Sequence, residues 1–250
     1  MPHHTFAFAK QINTGSNNQI NAVADSIVPQ DGANNYLPQS NMRLMFAWAG
    51  SAHLDRARLV SPPYRQVALP YIYPPNVSAT PLSPVPHLNL KDNPLYIGAE
   101  NPFGIDATLT GNTAAETTTA VCNAYSQQMP APMGDVYTLR ATGTTTLSAF
   151  GWTQVTLTFD QPIIQGRYSV IGGDVLSATG IAWRITMDNY FFRPGGLCIT
   201  TEGNISPYPQ REGGWGEWGQ FDNTSLPRLE VFSGAADTSE TLWLQVIKIR

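Results

Sequence analysis

A period of two dominates the hydrophobic pattern of this chain. In WTQVTLTFD (152–160), Val155, Leu157 and Phe159 alternate with Gln154, Thr156 and Thr158. In IAWRITM (181–187), Ile181, Trp183, Ile185 and Met187 alternate with Ala182, Arg184 and Thr186. Successive strand side chains point to opposite faces, so each segment predicts a strand with one face on a core. MRLMFAWAG (42–50) is apolar in both phases and reads as a strand covered on both sides. From residue 136 the signal is continuous through VYTLRAT, TTTLSAF, RYSVIGG, GGLCITT, RLEVFSG and the closing ETLWLQVIKIR. Short strands separated by Gly, Pro and Asp turns predict an all-β fold with an antiparallel β-sandwich over 136–250. Pattern alone leaves jelly-roll and immunoglobulin-like order both open. Its expected core includes Val155, Leu157, Phe159, Ile181, Trp183, Ile185 and Leu244.

One segment breaks the period. NNQINAVADSIV (17–28) places Ile20, Val23, Ala24, Ile27 and Val28 at helical spacing, with Asn17 or Asn18 as N-cap and Pro29 as terminator. It predicts a short helix, in a fold with at most one or two of them. TGNTAAETTTA (110–120) has the composition of an exposed loop. No period of 20–50 residues repeats along the chain.

Residues 62–102 hold 10 of the 20 prolines. Proline has no N–H for a ladder, so this stretch cannot form central strands throughout. It is nonetheless too apolar for a linker. Tyr64, Leu69, Tyr71, Ile72 and Tyr73 are expected to be buried, in an extended arm laid over the domain or a neighbouring subunit. Residues 1–135 thus read as a region of short helix, strands and proline-rich arm, long enough for a second jelly roll. Residues 136–250 form the sandwich.

Composition adds a constraint. Hydrophobic residues are 42%, but charged residues only 13%, about half the share in an average soluble domain. A free monomer normally keeps more charge for solubility, so a subunit covered by copies of itself fits better. The net charge is −4 and residues 1–30 carry one Lys and no Arg. That excludes nucleic-acid binding through a basic arm. The start MPHHTFAFAK lacks a signal-peptide core, and His3 and His4 read as part of a disordered terminus. Cys122 and Cys198 read as two free buried thiols.

Candidate chemistry is sparse. There is no G-x-S-x-G, His53 lies in a polar turn, His87 lies in the proline-rich arm, and no ligand spacing for zinc is present. No enzyme, metal or cofactor is expected. The exception is REGGWGEWGQ (211–220), where Trp215 and Trp218 stand beside Glu212 and Glu217 among glycines. Such a loop can hold a carboxylate pair with stacking platforms, a sugar-binding surface, or a plug that fills space in the sandwich or across a subunit contact. The plug is preferred, because two exposed indoles would leave an apolar patch on a protein short of solubilising charge.

GRYSVIGGDVLSATGIAWRI, FFRPGGLCI and GGWGEWGQFDNTSLPRLEVFSGAAD, with RARLVSPPYRQVALPYIYP upstream, resemble the core of a viral capsid protein of jelly-roll type. The resemblance is one of style, in low charge, short strands and apolar arms, without a diagnostic motif. It implies a structural virion protein of a tailless icosahedral virus. Such a subunit is made in the host cytoplasm and self-assembles into the capsid with copies of itself and other virion proteins. The missing basic arm makes viruses with an internal lipid membrane the closer resemblance. The alternative is a carbohydrate- or receptor-binding β-sandwich module, whose partner would be a glycan.

Overall fold

The computed structural model describes residues 3–13, 17–61, 71–72, 88–90, 92–112, 114–127, 130–188, 191–200 and 216–249. Every regular element among them is a β-strand, and the protein is all-β. The chain divides into two compact units, residues 6–124 and residues 1–5 with 125–250.

The N-terminal unit is built from β1 (His3–Ile12), β2 (Asn17–Gln19), β3 (Asn21–Ala22), β4 (Gln30–Asp31), β5 (Asn35–Tyr36), β6 (Met42–Gly50), β7 (Leu54–Val60), β8 (Tyr71–Ile72), β9 (Leu88–Asn89), β10 (Leu95–Ile97), β11 (Gly104–Leu109) and β12 (Glu116–Tyr125). The outer ends of β1 and β12, residues 3–5 and 125, belong to the other unit. One sheet runs β10-β6-β12-β1-β3, with β9 on β6, and a second runs β2-β11-β7-β8.

The C-terminal unit contains β13 (Val136–Gly143), β14 (Trp152–Val155), β15 (Leu157–Phe159), β16 (Arg167–Ser177), β17 (Gly180–Thr186), β18 (Gly195–Leu197), β19 (Gly219–Asp222), β20 (Arg228–Ser233) and β21 (Glu240–Lys248). Its sheets run β15-β13-β21-β16-β19 and β14-β20-β17-β18.

One rule generates both orders. Leaving aside the edge additions β3, β9 and β15 and the separate β4–β5 ribbon, eight strands in each unit pair first with eighth, second with seventh, third with sixth and fourth with fifth. In the C-terminal unit these are β13–β21, β14–β20, β16–β19 and β17–β18. In the N-terminal unit they are β1–β12, β2–β11, β6–β10 and β7–β8. A long antiparallel ribbon is then rolled, joining eighth to third and seventh to fourth: β21–β16 and β20–β17, or β12–β6 and β11–β7. That is a jelly-roll wrap, which covers the apolar face of each sheet with the other.

The cores follow from the alternation. Ile181, Trp183 and Ile185 of β17 are fully buried, as are Leu242, Leu244 and Val246 of β21. Trp183 lies so close to β16 that a Cβ on Gly173 would stand 3.0 Å from its ring and 2.7 Å from the Trp243 carbonyl oxygen. In the N-terminal unit Phe6, Phe8 and Phe103 surround Tyr36, with ring centroids 4.9–5.9 Å from it. The Tyr36 hydroxyl is within 2.7 Å of Ala7 O and 2.5 Å of Val23 O.

Several expectations are corrected. The helix over 17–28 does not form. β2 pairs with β11 and β3 with β1, and the Ile20, Ala22 and Val23 N–H groups donate to Ile105 O, Ala33 O and Ala7 O. Two strands and the β4–β5 turn take these donors, where a helix would need its own ladder. Asp25 Oδ1 accepts from Ile27 N and Val28 N, closing a turn where the helix would continue. The expected loop at 110–120 gives way at Glu116 to β12, where Thr118, Thr119 and Ala120 are buried. TTTLSAF is not a strand; Leu147 anchors it in the core and Ala149 makes a single bridge to Ser233. WTQVTLTFD splits into β14 and β15, which enter different sheets. Val155 is buried, but Leu157 and Phe159 are half-buried because β15 is an edge strand. His3 and His4 lie in β1 and are buried rather than disordered. Cys122 and Cys198 are free and buried.

Candidate functional site

The glycine- and tryptophan-rich loop enters the described residues at Gly216, whose φ of 72° is a left-handed conformation that favours glycine. This turn feeds Glu217 and Trp218 into the sandwich. The Trp218 N–H of the backbone donates to Val170 O at 2.8 Å, and β19 then pairs with β16. The indole of Trp218 is fully buried, with centroids 5.9 Å from Trp183 and 6.1 Å from His3. No face of that ring is left to stack on a sugar. Glu217 is also buried, and its Oε2 accepts from Ser169 Oγ at 2.7 Å and Gln220 Nε2 at 2.8 Å. Both groups are occupied in holding the loop. Trp215 and Glu212 lie outside the described residues.

The proline-rich arm contributes β8, in which Tyr71 and Ile72 pair with Arg58 and Ala57 at the edge of a sheet. Tyr64, Leu69 and Tyr73 lie outside the described residues.

Two clusters of polar side chains and one isolated buried carboxylate elsewhere among the described residues bear on chemistry. At the β6–β7 turn, Glu116 accepts from Ser51 Oγ, from His53 N at 2.7 Å and lies 2.6 Å from His53 Nδ1. Burial pushes its carboxyl up, but these hydrogen bonds and the His53 charge together bring it below the usual range. The carboxylate stands between serine and histidine, so the imidazole does not reach the hydroxyl. The arrangement ties a turn to β12.

In the C-terminal unit, Arg184 is fully buried, and its Nε donates to Glu230 Oε2 at 2.6 Å. Its guanidinium lies 4.0 Å above the Trp152 ring. Arg193 Nη1 donates to both Glu230 oxygens at 2.9 and 2.7 Å. Arg184 Nη1 and the backbone of Arg193 also engage Thr5, securing the N-terminal residues. Two guanidiniums on one carboxylate form a structural triad. Glu240, the third case, is buried with neither carboxylate oxygen hydrogen-bonded to a described residue.

The alternation pattern did not reveal a cavity of about 220 Å³ in the C-terminal unit, between Tyr137–Leu139 and residues 161–164, with Tyr168 and Lys248. The one sequence signal was Lys248, which interrupts an apolar closing strand. Among the described residues, no three His, Cys, Asp or Glu side chains group as metal ligands.

Fold and core define an all-β protein with jelly-roll-like sandwiches. No family model matches the chain, and no curated protein matches it. Among solved structures it is similar to the major capsid protein P2 from Bacteriophage PM2. The identity is 12% over 97% of this chain and 98% of that one, with a TM-score of 0.24. A likeness that weak does not bear on what this chain does.

Proposed function

We propose that the chain is a non-enzymatic structural protein of a virion, a capsid subunit that associates with copies of itself. The supporting observation is the repeated wrap, with each unit rolled from eight strands in the same pairing order. Jelly rolls serve in capsids and in lectins alike, so the reading is a fold-level analogy. The low charge, 13% of residues, favours the assembling member of that pair, because a covered surface needs little of it. Burial of Trp218 takes one of two stacking rings from the receptor- or carbohydrate-binding alternative. Other virion proteins and an internal membrane are the further partners this reading entails.

Light scattering and negative-stain microscopy of the purified chain test it. Closed oligomers or shells are expected. A monomer at all concentrations that binds an immobilised glycan would replace this reading with the alternative.

A further inference from the structure

The cavity in the C-terminal unit lies where its five-stranded sheet comes apart at one edge. β15 pairs with β13 from Gly143↔Leu157 to Ala141↔Phe159. One more hydrogen bond, from Asp160 N to Arg140 O at 3.0 Å, extends that ladder. In the same register Thr138 would next face Pro162, which has no N–H to donate. The segment 161–164 departs there, and the cavity opens between it and Tyr137, Thr138 and Leu139.

The site is held open by its floor. Tyr168 stacks on Phe221, with centroids 5.3 Å apart and planes 16° from parallel. Its hydroxyl donates to Ile164 O at 2.7 Å, fixing the far wall. Tyr137, Leu139, Pro162, Ile163 and Ile164 make most of the lining apolar. Lys248, the register partner of Tyr168, is the one charged residue among the described residues that line it. The Lys248 ammonium makes no ion pair or hydrogen bond with any described residue. Ile164 is 70% and Tyr137 48% exposed, so the mouth is open and apolar.

We propose that this cavity binds an apolar group bearing a single carboxylate. Apolar walls reject an anion that keeps its hydration shell, and the unpaired ammonium favours a carboxylate over a neutral or cationic head. At about 30 Å³ for each water-sized group, the volume of about 220 Å³ holds roughly seven of them, so a five-carbon acid fills it and the last carbon of a six-carbon acid reaches the open mouth. The same chemistry ends a peptide whose last residue is leucine. Such a terminus would also lay its backbone along the open edge of β13.

Calorimetric titration of the full chain with hexanoate, hexanol and hexylamine tests the site. Hexanoate is expected to bind about ten-fold or more tighter than hexanol, and hexylamine more weakly than either. Lys248→Met should erase the preference for the acid. Ile164→Glu, at an exposed position that leaves the fold intact, should block hexanoate with an internal carboxylate. N-acetyl-Thr-Val-Leu binding tighter than hexanoate would identify a peptide terminus as the source, and weaker binding a free acid. Equal affinity for acid and alcohol, no hexanoate binding at millimolar concentration, or unchanged binding in both variants would overturn the proposal.

Discussion

Replacing Glu240 with glutamine should make the protein's stability less sensitive to pH, through a group that the fold strands without a partner. Glu240 opens β21, facing Gly143 of β13 and Ser177 of β16. It is 1% exposed, and neither carboxylate oxygen has a hydrogen-bond partner among the described residues. Burial, and then the charge of Asp237, push its carboxyl from 4.5 up to about 7. The buried Cys198 thiol is raised too, by burial and then by Glu240 itself. A raised carboxyl means that the folded protein holds a proton the unfolded chain releases. This contribution is fully present below about pH 4.5 and is lost as pH rises through about 7. The interval from 4.5 to about 7 sets an upper bound of about 3 kcal/mol. Solvent at the exposed Thr238 and Ser239, just before β21, screens part of the charge and brings the expectation to about 1–2 kcal/mol. Glu240→Gln removes the ionisation and leaves an amide whose burial costs the same at every pH. The readout is therefore the difference in melting temperature between variant and wild type, followed from pH 4 to pH 8. That difference should move in the variant's favour as pH rises. A pH-independent difference would refute the argument.

Three substitutions probe the packing of the units. Glu230→Gln leaves Arg184 and Arg193 sharing a neutral acceptor and should cost about 3 kcal/mol. Urea unfolding measures it, and a loss near zero would mean that solvent reaches the triad. Trp218→Ala opens a cavity against Trp183 and should cost about 3–5 kcal/mol, with a solubility loss as the first sign; unchanged stability would place that indole outside the core. Tyr36→Phe removes the hydroxyl from Val23 O while Ala7 O keeps the Val23 N–H, so a cost of about 1–2 kcal/mol is expected. A stabilised variant would contradict the hydrogen bond.

What the sequence determined by itself was the alternation and therefore the class. Met42–Gly50, Gly180–Thr186 and Glu240–Lys248 are strands because their side chains leave no other way to bury one face, and Trp183 and Leu244 sit in the core as that argument requires. Gly216, at a φ of 72°, precedes Glu217 and the buried Trp218. Tertiary structure decided everything that depended on which strand lies beside which. Residues 17–28 fit a helix locally, yet the N–H groups of Ile20, Ala22 and Val23 find acceptors on Ile105, Ala33 and Ala7. Period two also cannot distinguish an edge from a centre. Leu157 and Phe159 alternate as well as Ile181 and Ile185 do, but β15 has a neighbour on one side only. The cavity beside Lys248 arises where Pro162 meets a register set by β13, about 20 residues earlier in the chain. Hydrophobic period is a property of neighbours in sequence, whereas pairing is settled by backbone donors and acceptors distant along it, which no local pattern encodes.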